Sequence, residues 1–111
     1  MSAQMQSKQL FHPGSTVLVT LNNPREKFWG VVLSLDHAGV SLHGIDLRSL
    51  DDFAQLIKSG EPAGASAVFF PMHRIERMEL DARNGDIPSL AEQFAAKSGK
   101  PVSSLFGELA G

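Results

Sequence analysis

The chain has 111 residues, of which 42% are hydrophobic and 20% charged, and this composition is typical of one soluble globular domain. The formal net charge of −2 argues against a free-standing binder of duplex DNA, which usually shows a clear basic excess. No cysteine is present, which excludes disulfides and thiolate metal sites, and no apolar run is long enough to span a membrane. The N-terminal residues lack the apolar stretch of a secretory signal, so we expect a cytoplasmic protein.

Two strands are predicted in the first third of the chain. Residues 1–12 precede them and are expected to form a tail or a short helix. Regular alternation of apolar and polar residues predicts a first strand over Thr16–Leu21 and a second over Phe28–Asp36. Gly30, inside the second strand, indicates a bend or a close approach of another backbone. One face of the second strand is expected to carry Trp29, Val31, Leu33 and Leu35.

The third predicted strand, from Val40 to about Leu47, changes phase along its length. Val40 and Leu42 share one parity, whereas Ile45 has the other. One extra residue at His43-Gly44 would reconcile the two halves, and such an insertion is a β-bulge. Bulges let a short sheet curl, so this pattern favours a barrel over a flat sheet.

Helices are predicted on both sides of the last two strands. Ser49 with Asp52 has the spacing of a capping box at the start of a helical insert at about 49–59. Residues 82–111 are predicted to form a helical extension, because Ser89 and Glu92 make a second capping box before a helix that runs to about Lys97.

The segment from Val68 to Leu80 is the most unusual stretch of the chain. Val68-Phe69-Phe70 is a short apolar run of high strand propensity, and neighbouring strand residues point to opposite faces, so both faces need cover. Pro71 suits a sharp corner or a sheet edge. A second strand is expected to follow to Leu80, although the spacing of Ile75 and Met78 would also fit a helix.

The succession of these elements resembles the Sm-like (LSm) family, as a divergent bacterial-type member. The resemblance covers about two-thirds of the chain, residues 13–81, and depends on short motifs. The fold it implies is mainly β: a small five-stranded Sm-like (SH3-like) barrel with the helical insert between strands 3 and 4, and a C-terminal helix. The motifs are Val17-x-Val19-x-Leu21, Trp29-Gly30-Val31-Val32 running into Leu35-Asp36, and Val68-Phe69-Phe70-Pro71 followed by Ile75.

Members of the family form rings by joining the fourth strand of one subunit to the fifth strand of the next. The resemblance therefore implies a homo-oligomer, and proteins of this size commonly assemble symmetrically. The alternative is that the C-terminal helix around Leu90 and Phe94 folds back over the second face of the sheet. The expected interface residues are Val68, Phe69, Phe70, Ile75 and Met78.

The resemblance also implies a pocket for single-stranded RNA between two loops. Asp36 and His73 match the bacterial RNA-chaperone branch, but Ala38 replaces its stacking aromatic residue and Met72 replaces its lysine. The Asn and the Arg-Gly pair of other members are absent. The alternative is that these loops simply carry solvated polar side chains. The candidate RNA-binding residues are Asp36, His37, His73 and Arg74.

Neither metal binding nor catalysis has support in the sequence. His37 and His43 have no recognised ligand spacing, and Asp51-Asp52 fits the negative charge favoured in the first turn of a helix. No phosphate loop or nucleophile motif is present. No cofactor is expected, and the protein is not expected to be an enzyme. The first hypothesis is an RNA-binding ring with altered base preference, and the alternative is a homo-oligomeric scaffold that has lost RNA binding.

Overall fold

Five antiparallel strands form one sheet in the order β4-β3-β2-β1-β5, so the prediction of a mainly β protein is confirmed. The structure is a computed structural model that describes residues 10–107, and most of the predicted N-terminal tail or short helix lies outside this range. The strands are β1 (Thr16–Leu21), β2 (Glu26–Leu35), β3 (Gly39–Asp46), β4 (Ser66–Pro71) and β5 (Ile75–Leu80).

Within residues 10–107, three helices accompany the sheet. Between β3 and β4, a 3-10 turn at Leu47–Ser49 leads into α1 (Leu50–Lys58). After β5 come α2 (Leu90–Ser98) and the short α3 (Ser103–Phe106). A second 3-10 turn, Met72–Arg74, makes the corner between β4 and β5.

The inner face of the sheet encloses one apolar core, and both edge strands contribute to it. Val68 and Phe70 of β4 pack against this core, as do Ile75 and Met78 of β5, so the sheet is curled. However, β4 and β5 are not hydrogen-bonded to each other, and the sheet stays open where sequence analysis predicted a barrel. The fully buried members of the inner core are Val17, Val19, Leu21, Val32, Val40 and Leu42.

The outer face is covered at one end by the three helices. Trp29 lies there fully buried, with its ring centroid 4.7 Å from that of Phe106 and 6.0 Å from that of Phe94. Ile45 packs into the same cluster, whereas Leu42 belongs to the inner core. The phase change in β3 therefore reflects a strand that is buried on different faces at its two ends.

The predicted bulge at His43-Gly44 is wrong. β3 pairs with β2 without interruption from Phe28↔Asp46 to Val32↔Leu42, and the irregularity falls on β2, between Val32 and Ser34. The extra residue is Leu33, so the predicted apolar face of β2 ends before it. Leu35, expected on that face, is 39% exposed.

Gly30 marks a close approach of two backbones, as predicted. A Cβ atom on Gly30 would lie 2.6 Å from the carbonyl oxygen of His43 and 2.7 Å from Cα of Gly44. Both distances are shorter than van der Waals contact, and both are to backbone atoms. Only a residue without a side chain allows β2 and β3 to pack this closely.

Asp81 attaches the C-terminal helices to the sheet. Its carboxylate accepts hydrogen bonds from the indole Nε1 of Trp29 at 3.1 Å and from the backbone N–H groups of Leu90 and Ala91 at 2.7 and 2.9 Å. Two of the free N–H groups at the start of α2 are thereby satisfied by a residue that follows β5.

One of the two predicted capping boxes forms. Ser89 and Glu92 bond each other's backbone N–H groups at the start of α2, which confirms that prediction. Ser49 occupies the N-cap of α1 but makes no side-chain capping bond, so the first prediction is wrong. Instead, Asp46 caps the preceding 3-10 turn by accepting a bond from the N–H of Arg48.

Candidate functional site

The loop after β2 and the 3-10 turn after β4 lie side by side. The N–H of Met72 donates to the carbonyl oxygen of Ala38 at 2.8 Å, which continues the pairing of β3 with β4. Within the first loop, the carboxylate of Asp36 accepts the N–H of Ala38 at 2.9 Å. Asp36 therefore shapes the loop through a local turn of its own.

The two histidines of the predicted RNA site are both exposed. His37 lies in the loop after β2, and His73 lies in the turn after β4. The hydrogen bond between Ala38 and Met72 joins the two segments that carry them. The structure therefore brings these two loops together, as the predicted site requires.

The side chain of Arg74 binds the connection between β1 and β2 and does not join the two exposed histidines. Its Nε donates to the carbonyl oxygen of Asn22 at 2.7 Å, and its Nη2 donates to the carbonyl oxygen of Pro24 and the carboxylate of Glu26, both at 3.1 Å. The guanidinium thus holds the connection between β1 and β2 and is half-buried there. Sequence analysis grouped it with His73 because the two are adjacent, but its partners are about 50 residues away in the chain.

A bare apolar surface lies next to these loops. Phe69 on β4 is 53% exposed, and Met72 in the following turn is 43% exposed. A Cβ atom on Gly39 would lie 2.9 Å from Cζ of Phe69, so the phenyl ring lies directly over this glycine. We call Phe69 and Met72 the β4 patch.

The other four predicted interface residues point into the subunit. Val68, Phe70, Ile75 and Met78 are half-buried against the inner core. Phe70 makes an edge-to-face contact with Phe28, with ring centroids 4.9 Å apart. These four residues therefore hold the edge strands onto their own core, and Phe69 is the member of the predicted set that faces outward.

The C-terminal helices do cover part of the second face, but not the β4 patch. Leu90 and Phe94 pack in the cluster around Trp29, at the end of the sheet that α1 also covers. Phe69 remains exposed. The predicted alternative is therefore correct for the face around Trp29 and does not apply to the face around Phe69.

A second apolar surface borders the free edge of β5. Leu10, Leu80 and Ile87 are 67%, 40% and 65% exposed. Leu80 lines a groove of about 420 Å³, which we call the β5 groove. Sequence analysis missed it because Leu10 and Leu80 are 70 positions apart and neither stands in a distinctive pattern. The β5 groove is lined by Leu10, His12, Ser15, Thr16, Leu80, Asp81 and Ala82.

Most basic side chains in the described range are held by acidic partners. A groove of about 330 Å³ beside the ends of β2 and β3 contains Arg25, Lys27 and Arg48. Arg48 bonds both carboxylate oxygens of Asp46, at 3.1 and 2.8 Å, and this interaction lowers the pKa of Asp46. Arg25 lies 3.5 Å from Glu76. This surface therefore carries little uncompensated positive charge.

The same part of the chain holds neither a cluster of metal-ligating side chains nor a helix that could cross a membrane. Among residues 10–107, no group of three or more His, Asp or Glu side chains is arranged to hold a metal ion. No helix in that range has both the length and the apolar character needed to cross a membrane. Comparison of the chain with protein-family models, with curated proteins and with solved structures found no match.

Proposed function

We propose that this chain is a self-assembling module of the Sm-like type, whose copies join through the edges of β4 and β5 into a ring-like homo-oligomer that serves as a scaffold for other proteins. The observation that carries the proposal is that each edge strand lacks a partner within the described residues and borders exposed apolar side chains. An unpaired strand edge of this kind is a template for pairing with another chain.

The composition of β4 supports this proposal. Proteins usually protect a free edge with charged residues, but Ser66–Pro71 contains no charge, and proline stands only at its end. The sheet order also supports it, because β4 and β5 lie at opposite ends of one sheet and each copy can offer one edge while accepting the other. A heterologous contact of this type closes into a ring when the rotation between copies allows it.

Light scattering of the purified chain tests the assembly, with Phe69→Asp as the decisive variant. We expect an oligomer for the wild-type chain and a folded monomer for Phe69→Asp, because Phe69 faces solvent in the isolated subunit. Phe70→Asp is unsuitable, since Phe70 packs on Phe28 and a buried carboxylate would unfold the subunit itself. A wild-type chain that stays monomeric at high micromolar concentration would overturn the proposal.

Single-stranded RNA binding is the second candidate function, and the joined loops favour it. His37 and His73 stand exposed on neighbouring segments, with Phe69 and Met72 beside them. Proteins bind single-stranded RNA by stacking its exposed bases on aromatic side chains such as imidazole and phenyl rings. Because Arg74 is bound within its own subunit, such a site would depend on stacking more than on charge and would have an altered base preference.

Filter-binding titrations with A-rich and U-rich oligonucleotides at low and moderate salt test this function. We expect the double variant His37→Ala, His73→Ala to bind more weakly than the wild-type chain, and Lys58→Ala, at the end of α1, to serve as the matched control. Wild-type binding weaker than about 100 µM, the weak end of non-specific affinity, would exclude it. Co-purification after nuclease treatment then separates the two functions, since a scaffold retains a protein partner and no nucleic acid.

A further inference from the structure

We propose that Asn84 is a site of spontaneous covalent modification, at which the side-chain amide is lost through a cyclic imide and replaced by aspartate or isoaspartate. The reaction needs no partner other than water and is independent of the proposed assembly. Three features of the chain support it: the exposed turn that carries Asn84, the exposed glycine that follows it, and the different surroundings of the other two asparagines.

The reaction begins when the backbone nitrogen of Gly85 attacks the side-chain amide carbon of Asn84. The N–H of Gly85 gives up its proton, and its nitrogen forms a bond to Cγ of Asn84 while the bond from Cγ to Nδ2 breaks. The leaving nitrogen takes up that proton and departs as ammonia, and a cyclic succinimide remains. Water then adds to either ring carbonyl, and the ring opens to aspartate or isoaspartate. No oxidant or reductant takes part.

The turn around Asn84 leaves both reacting groups accessible. Asn84 and Gly85 are exposed to solvent. Gly85 has a φ of +61°, and a Cβ atom placed on it would have no neighbour within 4 Å, so the space around its backbone is open. Among residues 10–107, no hydrogen bond holds the side-chain amide of Asn84 or the N–H of Gly85, and the neighbouring Arg83 bonds Glu92 instead. Neither the nucleophile nor the carbon that it attacks is therefore shielded.

The turn can also open far enough for the two atoms to meet. Asn84 and Ile87 form an isolated bridge, in which each donates its N–H to the carbonyl oxygen of the other at 2.9 Å. In the described range no further pair continues this bridge, and even a complete two-stranded hairpin is only marginally stable in water. Local opening of such an exposed turn costs little free energy. The amide of Asn84 can therefore reach the nitrogen of Gly85 while the rest of the subunit stays folded.

The other two asparagines of the chain each lack one of these conditions. Asn23 is followed by Pro24, whose nitrogen carries no hydrogen to give up. Asn22 is followed by a residue with a side chain, and its own backbone is held by Arg74. The N–H of Asn22 donates to the carbonyl oxygen of Arg74 at 2.9 Å, and the carbonyl oxygen of Asn22 accepts Nε of Arg74 at 2.7 Å. The structure therefore distinguishes Asn84 from both.

Conversion to isoaspartate should loosen the start of α2. In isoaspartate the main chain runs through the former side chain and gains a carbon atom, so the bridge between residue 84 and Ile87 loses its register. Ile87 and Pro88 lead directly into Ser89, the N-cap of α2. Aspartate leaves the length of the main chain unchanged. We therefore expect the loss of stability to follow the isoaspartate product.

Mass spectrometry of the full chain, aged at neutral to mildly alkaline pH in water enriched in heavy oxygen, tests the reaction. Trypsin, used in ordinary water after ageing, separates Asn84, in residues 84–97, from Asn22 and Asn23, in residues 9–25. We expect heavy oxygen in residues 84–97, in two products that chromatography resolves, and none in residues 9–25. Asn84→Gln is the matched control, because the larger ring that glutamine must form closes far more slowly.

A parallel sample unfolded in urea decides whether the fold leaves Asn84 reactive. We expect the folded and unfolded chains to convert Asn84 at rates within about tenfold of each other, because the exposed turn opens easily. Unfolding should accelerate the conversion of Asn22, since it releases the bonds to Arg74. A folded chain that keeps Asn84 intact while the unfolded chain converts it would overturn the proposal, and so would a folded chain in which Asn22 reacts first.

Melting temperatures test the consequence for α2. The melting temperature of the aged wild-type chain should fall as isoaspartate accumulates, whereas the aged Asn84→Gln chain should keep its value. Freshly purified Asn84→Asp should melt with the fresh wild-type chain, because its main chain has the same length. An aged wild-type chain that is fully converted and melts unchanged would overturn the link to α2, and an early loss in Asn84→Asp would assign the effect to charge.

Discussion

Trp29 and Phe69 lie on the same face of the sheet, but Trp29 is buried and Phe69 is exposed to solvent. Trp29 is paired with Ile45, and Ile45 and Ser41 are four residues apart on the uninterrupted strand β3. Ser41 is in turn paired with Phe69. Because side chains alternate along a strand, all four project on one side. Trp29 is fully buried under α2 and α3, whereas Phe69 is 53% exposed.

The difference shows how far the chain can cover its own outer face. α1, α2 and α3 close the end around Trp29, and Asp81 fixes α2 there by bonding both Trp29 and the helix terminus. The end around Phe69 has no such attachment within the described residues. Substitutions at the end around Trp29 should therefore change the stability of the subunit, and substitutions at the end around Phe69 should change its assembly.

The largest expected effect on stability is that of Trp29→Ala. Removal of a fully buried indole leaves a large cavity and should lower the free energy of unfolding by about 3–5 kcal/mol. Urea denaturation followed by circular dichroism, at one fixed protein concentration, measures it. A loss of less than about 1 kcal/mol, the typical size for an ordinary substitution, would mean that the covered end is not the main source of stability.

Asp81→Ala should weaken the attachment of α2 without opening a large cavity. Three hydrogen-bond donors lose their acceptor, and we expect a loss of about 3 kcal/mol. The emission of Trp29 should shift to longer wavelength as water reaches the indole. Asp86→Ala, in the exposed turn before α2, is the matched control and should change neither quantity.

Gly30→Ala tests the close approach of the β2 and β3 backbones at Gly30 and Gly44. The added methyl group would collide with backbone atoms of His43 and Gly44, and the shift needed to relieve this should cost about 2 kcal/mol. Thermal unfolding measures the loss. Gly64→Ala is the control, since a Cβ atom there has no neighbour within 4 Å; equal stability of the two variants would refute the explanation.

The cap of α2 should make stability at the covered end depend on pH. The hydrogen bond from the N–H of Ser89 and the neighbouring Arg83 lower the pKa of Glu92 in the folded chain. The Glu92 carboxylate therefore stabilises the folded chain above the pKa that it has in the unfolded chain, and this stabilisation is lost as the pH falls through the lower pKa of the folded chain. The melting temperature of the wild-type chain should exceed that of Glu92→Gln at neutral pH, and the gap should narrow as the pH falls below about 4.3, the ordinary pKa of a glutamate. A gap that stays the same between neutral and acidic pH would contradict this.

Phe69→Ser should have the smallest effect on the stability of the isolated subunit, within about 0.5 kcal/mol, because its ring is largely in solvent. Chemical denaturation at a concentration low enough to favour the monomer measures this. At high concentration the same substitution should reduce the mass seen by light scattering. A variant that loses stability as Trp29→Ala does would show that Phe69 supports its own subunit.

Local patterns were enough to predict several features correctly. The alternation in Thr16–Leu21 and the capping box at Ser89 both depend on residues within a few positions of one another. Gly30 also belongs here, since a glycine inside a strand has few explanations other than close backbone packing. For the candidate site, local patterns predicted the two loops that lie side by side and the phenylalanine that faces outward, Phe69.

Other features depended on tertiary contacts. The phase change in β3 needs no bulge, because Ile45 is buried under helices that come later in the chain while Leu42 faces the inner core. Arg74 is withdrawn from the loops by the connection between β1 and β2, and the β5 groove joins Leu10 to Leu80. The sequence determines which side chains need cover, because hydrophobicity and strand period are local properties. Which segment supplies the cover depends on partners 50 or more positions away, and only the folded chain brings these together.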